Sequence, residues 1–243
     1  MIRAQVRVVL AVGVVVVAAA ALAVAWMRGG SEPLPPRAPE ARPVLLLLTS
    51  LPIVFGEDFS VQQYGSPALD ALEARYRVVP IGAADPAELA RGRLLLMAQP
   101  RAQPAEDLVA LDTWVRSGGR VLLLADPMLD WPSERPLGDP LRPPATFMDT
   151  GLLAHWGLRL DAPDVRGPRE GTLGGYDVVT VSPGTLSGAC DIGRGRLVAR
   201  CRIGEGRGTV VADADILDSA ELGRDARHNF DGVLAELAKL ERK

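Results

Sequence analysis

The longest apolar stretch of the chain lies at its N-terminus. No charged side chain occurs from Val8 to Met27, and about 20 apolar residues are enough for a helix to cross the core of a bilayer. Arg3 and Arg7 precede the stretch, so the positive-inside rule places the N-terminus in the cytoplasm. We therefore predict that residues 1–28 are a single-pass anchor in the inner (plasma) membrane, with the remainder exported to the periplasm.

The same segment also has the features of a cleavable signal peptide. Its two arginines form a basic n-region, and Ala23-Val24-Ala25 matches a small-residue cleavage site. We favour the anchor because the apolar stretch is long for an h-region, but both alternatives export the rest of the chain. Residues 29–43 contain five prolines and predict an extended, semi-stiff linker to a domain that spans residues 44–243.

Within this domain, short apolar runs alternate with amphipathic segments. The runs predict buried strands at residues 44–49, 77–81, 94–98 and 121–125. Helices are predicted to begin at Ser66-Pro67 and to span residues 105–117, where Gly118-Gly119 ends the second one. Pro80 indicates an edge position for the second strand. Uniformly apolar strands that alternate with helices are typical of a mostly parallel sheet covered on both faces, an α/β fold.

The pattern changes in the C-terminal part of the chain. Proline-rich residues 127–147 predict a long surface loop, and residues 149–156 predict a helix that leads to a short strand. Strands with alternating or β-branched residues are predicted at 176–182, 196–203 and 209–212, with a final helix at about 227–240. The glycine-rich Gly204–Gly208 precedes a strand rather than a helix, which predicts a hairpin turn and not a phosphate loop. We expect an antiparallel C-terminal extension of the sheet.

Charge and cysteine content narrow the function classes. The formal net charge is −3 and the isoelectric point is about 5.5, which argues against a nucleic-acid partner. Cys190 and Cys201 are the two cysteines of the chain, and an oxidising compartment permits them to pair. Their spacing alone does not decide between a disulfide and two half-buried thiols.

No complete catalytic motif occurs in the sequence. There is no G-x-S-x-G elbow, and His155 and His228 are the only histidines. Asp213, Asp215 and Asp218 follow the last predicted strand and Asp126 follows the fourth, which places them at the carboxyl edge of a parallel sheet, where ligands bind. Carboxylates there either bind a divalent cation or cap the next helix, and no spacing matches a dedicated metal loop.

Three stretches of the sequence carry a family resemblance: residues 94–107, 111–127 and 206–230. They include a helix that ends in Gly-Gly before an apolar strand and Asp-Pro. The chain resembles, over about residues 44–240, the exported domain of auxiliary proteins of gliding-motility-type ABC transport systems. The resemblance implies a class I glutamine-amidotransferase-like, or flavodoxin-like, fold that has lost its catalytic residues. In active members a cysteine follows the strand equivalent to residues 121–125, where this chain has Asp126-Pro127.

The resemblance therefore implies a non-enzymatic, membrane-anchored accessory protein without a cofactor or a metal. Its expected partner is an ABC transporter permease or another envelope protein, and a carbohydrate-like ligand is an alternative. The candidate ligand-binding residues are Asp126, Trp131, Asp213 and Asp215. Two other hypotheses remain open: a metal-assisted hydrolase that uses Asp126, Asp213 and Asp215, and a structural spacer in an envelope complex.

Overall fold

The computed structural model describes residues 32–55, 65–218, 222–223 and 228–242. The predicted anchor at residues 1–28 lies outside the described residues. Within the described ranges, no helix has the length and apolarity needed to span a membrane.

Strands and short helices alternate along the domain. The strands are β1 (Val44–Thr49), β2 (Arg77–Pro80), β3 (Leu94–Ala98), β4 (Arg120–Leu124), β5 (Leu158–Asp161), β6 (Pro168–Leu173), β7 (Tyr176–Val181), β8 (Thr185–Gly188), β9 (Asp191–Ile192), β10 (Val198–Ile203) and β11 (Gly206–Val211). The helices are α1 (Pro67–Glu73), α2 (Pro86–Leu89), α3 (Ala105–Arg116), α4 (Leu152–His155) and α5 (Asn229–Glu241).

Seven of these strands form the central sheet, in the order β2-β1-β3-β4-β11-β10-β9. The neighbours from β2 to β11 pair in parallel, whereas β10 pairs antiparallel with β11, and β9 pairs antiparallel with β10. Every residue of β3 is buried, as expected for a strand with helices on both faces. The mostly parallel sheet, the edge position of β2 and the antiparallel extension are confirmed.

The helices cover this sheet in two groups. Helix α1 packs against α5, and α2 packs against α3, while α3 and α5 both contact the sheet. Right-handed crossovers place α1 on one face and α2 and α3 on the other, because the chain adds β2 to one side of β1 and β3 to the other. Because β1, β3, β4 and β11 run parallel to one another, their carboxyl ends lie along one edge of the sheet.

Local sequence signals fix the helix ends. The Ser66 side chain accepts a hydrogen bond from Leu69 N at 3.2 Å and caps α1, and Pro67 is the first residue of that helix. Gly118 follows α3 with φ of +99°, a left-handed conformation that glycine adopts without strain. Both predicted boundaries are confirmed.

Several elements differ from the sequence-based prediction. The helix predicted at residues 149–156 is a single turn, α4, and the short strands β6, β8 and β9 were not predicted. β5 pairs with β8 and β6 with β7 in two separate two-stranded sheets. β6 escapes a pattern-based prediction because four of its six residues are exposed and only Leu173 is buried, so burial leaves no periodic signal.

The glycine-rich segment after β10 is a tight turn at residues 204–205 between two antiparallel strands. Gly206 lies against the end of α3, where an added Cβ would be 1.9 Å from Val115 O and 2.3 Å from Gly119 O. The hairpin prediction is confirmed, and Gly206 is required for close packing of backbone against backbone.

An ion pair joins the two ends of the domain, and a disulfide joins the residue before β9 to β10. Arg37, in the described part of the linker, forms an ion pair with Glu241 at 2.8 Å and lies 5.3 Å from the centre of the Tyr76 ring. Cys190 and Cys201 form a disulfide with their Cα atoms 4.8 Å apart, which resolves the alternatives that their spacing left open.

Candidate functional site

The direction of strand addition reverses at β1, since β2 is added to one side of it and β3 to the other. Loops that leave β1 and β3 therefore turn toward opposite faces of the sheet, and a crevice opens between the carboxyl ends of the two strands. Ligands of open α/β folds bind in this crevice. The sequence alone did not reveal this point, because strand order depends on long-range pairing.

A pocket of about 340 Å³ occupies this crevice. Its lining comes from the ends of β1 and β2, the residues that follow β3, and the long loop after β4. Most lining side chains are apolar, and they include Leu51, Val54, Ile81 and Leu141. A concave site of this volume with apolar walls is typical of small-molecule binding.

Among the described residues that line the pocket, the charged ones are Arg101 and Arg135. Arg101 donates a hydrogen bond from Nη2 to Arg142 O at 3.0 Å, and no described carboxylate forms an ion pair with it. Arg135 lies 3.7 Å from Asp139, which is outside the pocket lining. The described part of the lining thus combines apolar walls with two guanidinium groups, of which that of Arg135 is paired with Asp139.

The predicted acidic residues lie farther along the same edge. Asp126 follows β4 and Asp213 follows β11, and these two strands are neighbours. Asp215 begins a 3₁₀ turn at Asp215–Leu217, and Asp218 ends it. All four carboxylates are buried, and a smaller cavity of about 150 Å³ lies beside Asp215 and Asp218.

Backbone N–H groups donate hydrogen bonds to the buried carboxylates. Asp126 accepts hydrogen bonds from Met128 N and Ala214 N, both at 2.8 Å. Asp213 accepts from Val181 N at 2.8 Å and from Ile216 N at 2.7 Å. Each carboxylate thereby ties two chain segments together, and Asp213 also satisfies the Ile216 N–H within the 3₁₀ turn.

Burial raises the pKa values of three of these carboxyl groups. It raises the pKa of Asp126 to about 6 and that of Asp215 to about 7, although backbone N–H donors oppose the shift. The pKa of Asp213 lies well above its usual value because of burial and of the negative charges of Asp126 and Asp215. Three neighbouring carboxyl groups therefore favour protonation well above pH 4.

A metal centre does not follow from this geometry. In the part of the chain that the structure describes, no three histidine, cysteine, aspartate or glutamate side chains are arranged to hold a metal ion. The oxygens of Asp126 and Asp213 already accept backbone hydrogen bonds. Trp131, the remaining candidate, is half-buried and packs against the core at the start of the long loop.

Sequence reasoning missed one residue that organises this edge. Gln99 follows β3 with φ of +42°, is fully buried, and bonds through its side chain to Asp126 N, Asp126 O and Pro144 O at 3.0–3.1 Å. A sharp turn after a strand is the position of a nucleophile in several enzyme folds. Here an amide occupies it, and an amide is not a nucleophile; only its sequence position directly after an apolar strand hinted at its role.

Among the described residues, the contacts of Ser182, His155 and His228 do not join them into a catalytic group. Ser182 is buried and donates to Asp130 Oδ2 at 2.8 Å while accepting from Gly167 N at 3.0 Å. His155 contacts Asp112 at 3.3 Å, and His228 contacts Asp231 at 3.2 Å, so neither histidine pairs with Ser182 in these contacts. Both cysteines are in the disulfide, which removes any thiolate from the oxidised chain.

A family model matches the part of the chain that holds the pocket. The family described as "ABC-type uncharacterized transport system" matches residues 42–171, which is more than half of the chain. The chain belongs to this family. The matched range runs from just before β1 into β6 and includes the pocket, Asp126 and the long loop, and the family description associates the chain with an ABC transport system. A comparison with curated proteins finds no match.

Solved structures share the fold at low sequence identity. An exo-β-1,4-mannosidase, Op5Man5 from Opitutaceae bacterium strain TAV5, has a TM-score of 0.51 at 14% identity over 82% of this chain and 36% of the enzyme. The mmIFT52 N-terminal domain has a TM-score of 0.51 at 13% identity over 80% of this chain and 97% of that domain. A cytoplasmic protein from Salmonella typhimurium LT2 has a TM-score of 0.51 at 12% identity over 81% and 99%.

These likenesses show the α/β fold alone. The chain spans only about a third of the length of the mannosidase. The α/β fold class is confirmed, whereas the specific amidotransferase-like relationship stays a prediction.

Proposed function

We propose that this protein is a non-enzymatic, membrane-anchored accessory component of an ABC transport system. Its exported domain would bind a permease or another envelope protein through the loop between β4 and α4. The observation that carries this proposal is that the loop exposes large apolar side chains while buried hydrogen bonds fix it from beneath. The family match supports the transport association and covers the whole loop.

The exposed apolar side chains stand out on this loop. Leu137 is 89% exposed, Met148 57% and Leu141 51%. Isolated exposed leucines are ordinary on protein surfaces, but several on one fixed loop favour a contact surface for another protein. We call Leu137, Leu141 and Met148 the loop contact residues.

Backbone and side-chain hydrogen bonds hold the loop in one conformation. Leu129 N donates to Ala145 O at 2.9 Å and Phe147 N to Asp126 O at 2.6 Å, which closes the loop at its base. Gln99 adds a bond to Pro144 O at 3.0 Å. A loop that is ordered before binding loses less conformational entropy when a partner docks.

The four candidate site residues fit a supporting role in this proposal. Asp126 and Asp213 join segments at the ends of β4 and β11, and Asp215 Oδ2 accepts from Asp130 N at 2.9 Å near the start of the loop. Trp131 packs its indole against the core at the same point. We propose that they position the contact surface rather than touch the ligand through their carboxylates.

Export of the domain has separate support. Disulfides persist in oxidising compartments and are rare in the cytosol, so the Cys190–Cys201 bond favours the periplasm. The apolar N-terminal stretch supplies the means of export. A cleaved signal peptide would give the same compartment without the anchor.

The enzyme hypothesis has weaker support. An amidotransferase needs a cysteine thiolate, and both cysteines of the chain form the disulfide. A metal-assisted hydrolase would need Asp126 and Asp213 to exchange their backbone hydrogen bonds for a cation. Divalent metal that copurifies with the protein and is lost on changing Asp213 would favour that hypothesis instead.

Site-specific photocrosslinking in cells tests the proposal. A photoreactive amino acid at Leu137 should crosslink a permease or another subunit of an ABC system, identified by mass spectrometry. The matched control is Val109, which is 66% exposed on α3, and it should give no such product. Equal crosslinking from both positions, or none from Leu137, Leu141 and Met148, would contradict the loop contact and leave the structural spacer as the better hypothesis.

A further inference from the structure

We propose that the pocket at the carboxyl ends of β1 and β3 binds a small organic anion with an apolar body. This inference does not depend on the partner protein. It rests on three features of the pocket: its place at the reversal of strand order, its apolar walls and its two arginines.

The walls fit an apolar group. Leu47, Leu51 and Ile81 are buried, and Val54 is half-buried, so the inner surface has carbon atoms on several sides. The volume of about 340 Å³ is large enough for a single aromatic ring with a substituent.

The charges select an anion. Among the described residues that line the pocket, Arg101 and Arg135 are basic and none is acidic. A guanidinium offers several N–H groups in a planar fork that matches a carboxylate. Arg101 donates one of them to Arg142 O, and no other hydrogen bond or ion pair with a described residue occupies the rest, which a ligand could use.

The hydroxyl groups disfavour a neutral sugar as the ligand. Thr49 Oγ1 donates to Ala98 O at 2.8 Å and accepts from Leu51 N at 3.0 Å. Ser50 donates its hydroxyl hydrogen to Gln99 O. A sugar requires several hydrogen-bonding partners, and these two side chains already bond to the backbone.

Ligand-observed ¹⁹F NMR tests the inference on the full-length protein in lipid nanodiscs, with empty nanodiscs subtracted. The probes are 4-fluorobenzoate and its neutral counterpart 4-fluorobenzyl alcohol. We expect the benzoate to bind more tightly than the alcohol. Arg101→Gln should weaken the benzoate about five- to tenfold and change the alcohol less than twofold.

Two further variants complete the experiment. Val54→Thr keeps the shape of the side chain but replaces one methyl group with a hydroxyl. It should weaken the binding of both probes similarly. Arg91→Gln, at an exposed arginine paired with Glu88, should change neither. Equal affinity of the wild type for both probes, or equal effects of Arg101→Gln and Arg91→Gln, would overturn the inference.

The two proposals fail separately. Arg101→Gln should still crosslink from Leu137, because the loop contact does not require an anion in the pocket. If Leu137 gives no crosslink although the wild type binds benzoate, only the partner contact is contradicted. If Leu137 gives the crosslink although the wild type does not bind benzoate, only the pocket proposal is contradicted.

Discussion

Gln99 and Asp126 exchange two hydrogen bonds between the ends of β3 and β4. Asp126 N donates to Gln99 Oε1 at 3.0 Å, and Gln99 Nε2 donates to Asp126 O at 3.1 Å. The side-chain amide thus continues the strand ladder one step beyond Ala98 and Leu124, where the two backbones separate. This pair closes the carboxyl edge of the sheet beneath the long loop.

Gln99→Ala should lower the free energy of unfolding by about 2–4 kcal/mol, because the buried Gln99 side chain makes three hydrogen bonds to the backbone and two of them are fully buried. Urea denaturation measures the loss, and hydrogen exchange should become faster at Phe147 N and Leu129 N. Gln103→Ala is the control, since its side chain makes one bond to Ala84 N and one to Arg101 O near the surface. Similar losses in both variants would contradict the special role of Gln99.

Asp213→Ala should lower the free energy of unfolding by about 2–4 kcal/mol, because Val181 N and Ile216 N lose their acceptor inside the protein. Asp177→Ala, at an exposed position on β7, should change it by less than about 0.5 kcal/mol. If Asp213→Ala is as stable as the wild type, the carboxylate is not structural and a ligand role becomes the better explanation.

Stability should decrease as the pH rises from about 4 to about 7. Burial raises the pKa of Asp126 to about 6 and of Asp215 to about 7, so the folded state holds protons that the unfolded state releases near pH 4. This contribution is complete below pH 4 and lost above pH 7, and for Asp126 it is of the order of 3 kcal/mol. Denaturation at pH 5 and pH 8 measures the difference.

Asp215→Asn is the matched variant for this pH dependence. The asparagine keeps an oxygen for Asp130 N but removes a buried charge. We expect a smaller difference between pH 5 and pH 8, with stability at pH 8 equal to or above that of the wild type. An unchanged pH dependence would show that Asp215 titrates normally in the folded state.

The Cys190–Cys201 disulfide should stabilise the domain by about 2–3 kcal/mol, since it closes a loop with a sequence separation of 11. Reductant should lower the melting temperature of the wild type to that of the Cys190→Ser, Cys201→Ser double variant and leave the double variant unchanged. Thiol trapping in freshly lysed cells should find both cysteines protected. Free thiols there would contradict both the bond and export.

Arg37→Ala should lower the free energy of unfolding by about 1 kcal/mol. The change removes a two-pronged contact with Glu241 and the guanidinium above the Tyr76 ring. Arg91→Ala removes an exposed pair with Glu88 and should cost less than about 0.5 kcal/mol. If the two variants lose the same amount, the described part of the linker does not help to hold the domain together.

The sequence by itself determined the strands of the parallel sheet and the carboxyl-edge position of the acidic residues. β1 and β3 match their predicted bounds, and Asp126 and Asp213 follow neighbouring strands. This succeeded because burial acts residue by residue, so a strand with helices on both faces leaves a continuous apolar run. Pro80 and Gly118 add local restrictions of the backbone that mark an edge and a helix end.

Only the tertiary structure decided which residues meet at this edge and what their side chains contact. The pocket brings together Thr49, Ile81, Arg101 and Leu141, which are far apart in the chain, and the strand order that assembles them comes from long-range pairing. Hydrogen-bond partners are equally non-local: the bond between Asp126 and Ala214 N spans 88 positions. A residue type shows that a carboxylate is present, but whether its oxygens face a ligand or a backbone N–H depends on which segments the fold brings beside it.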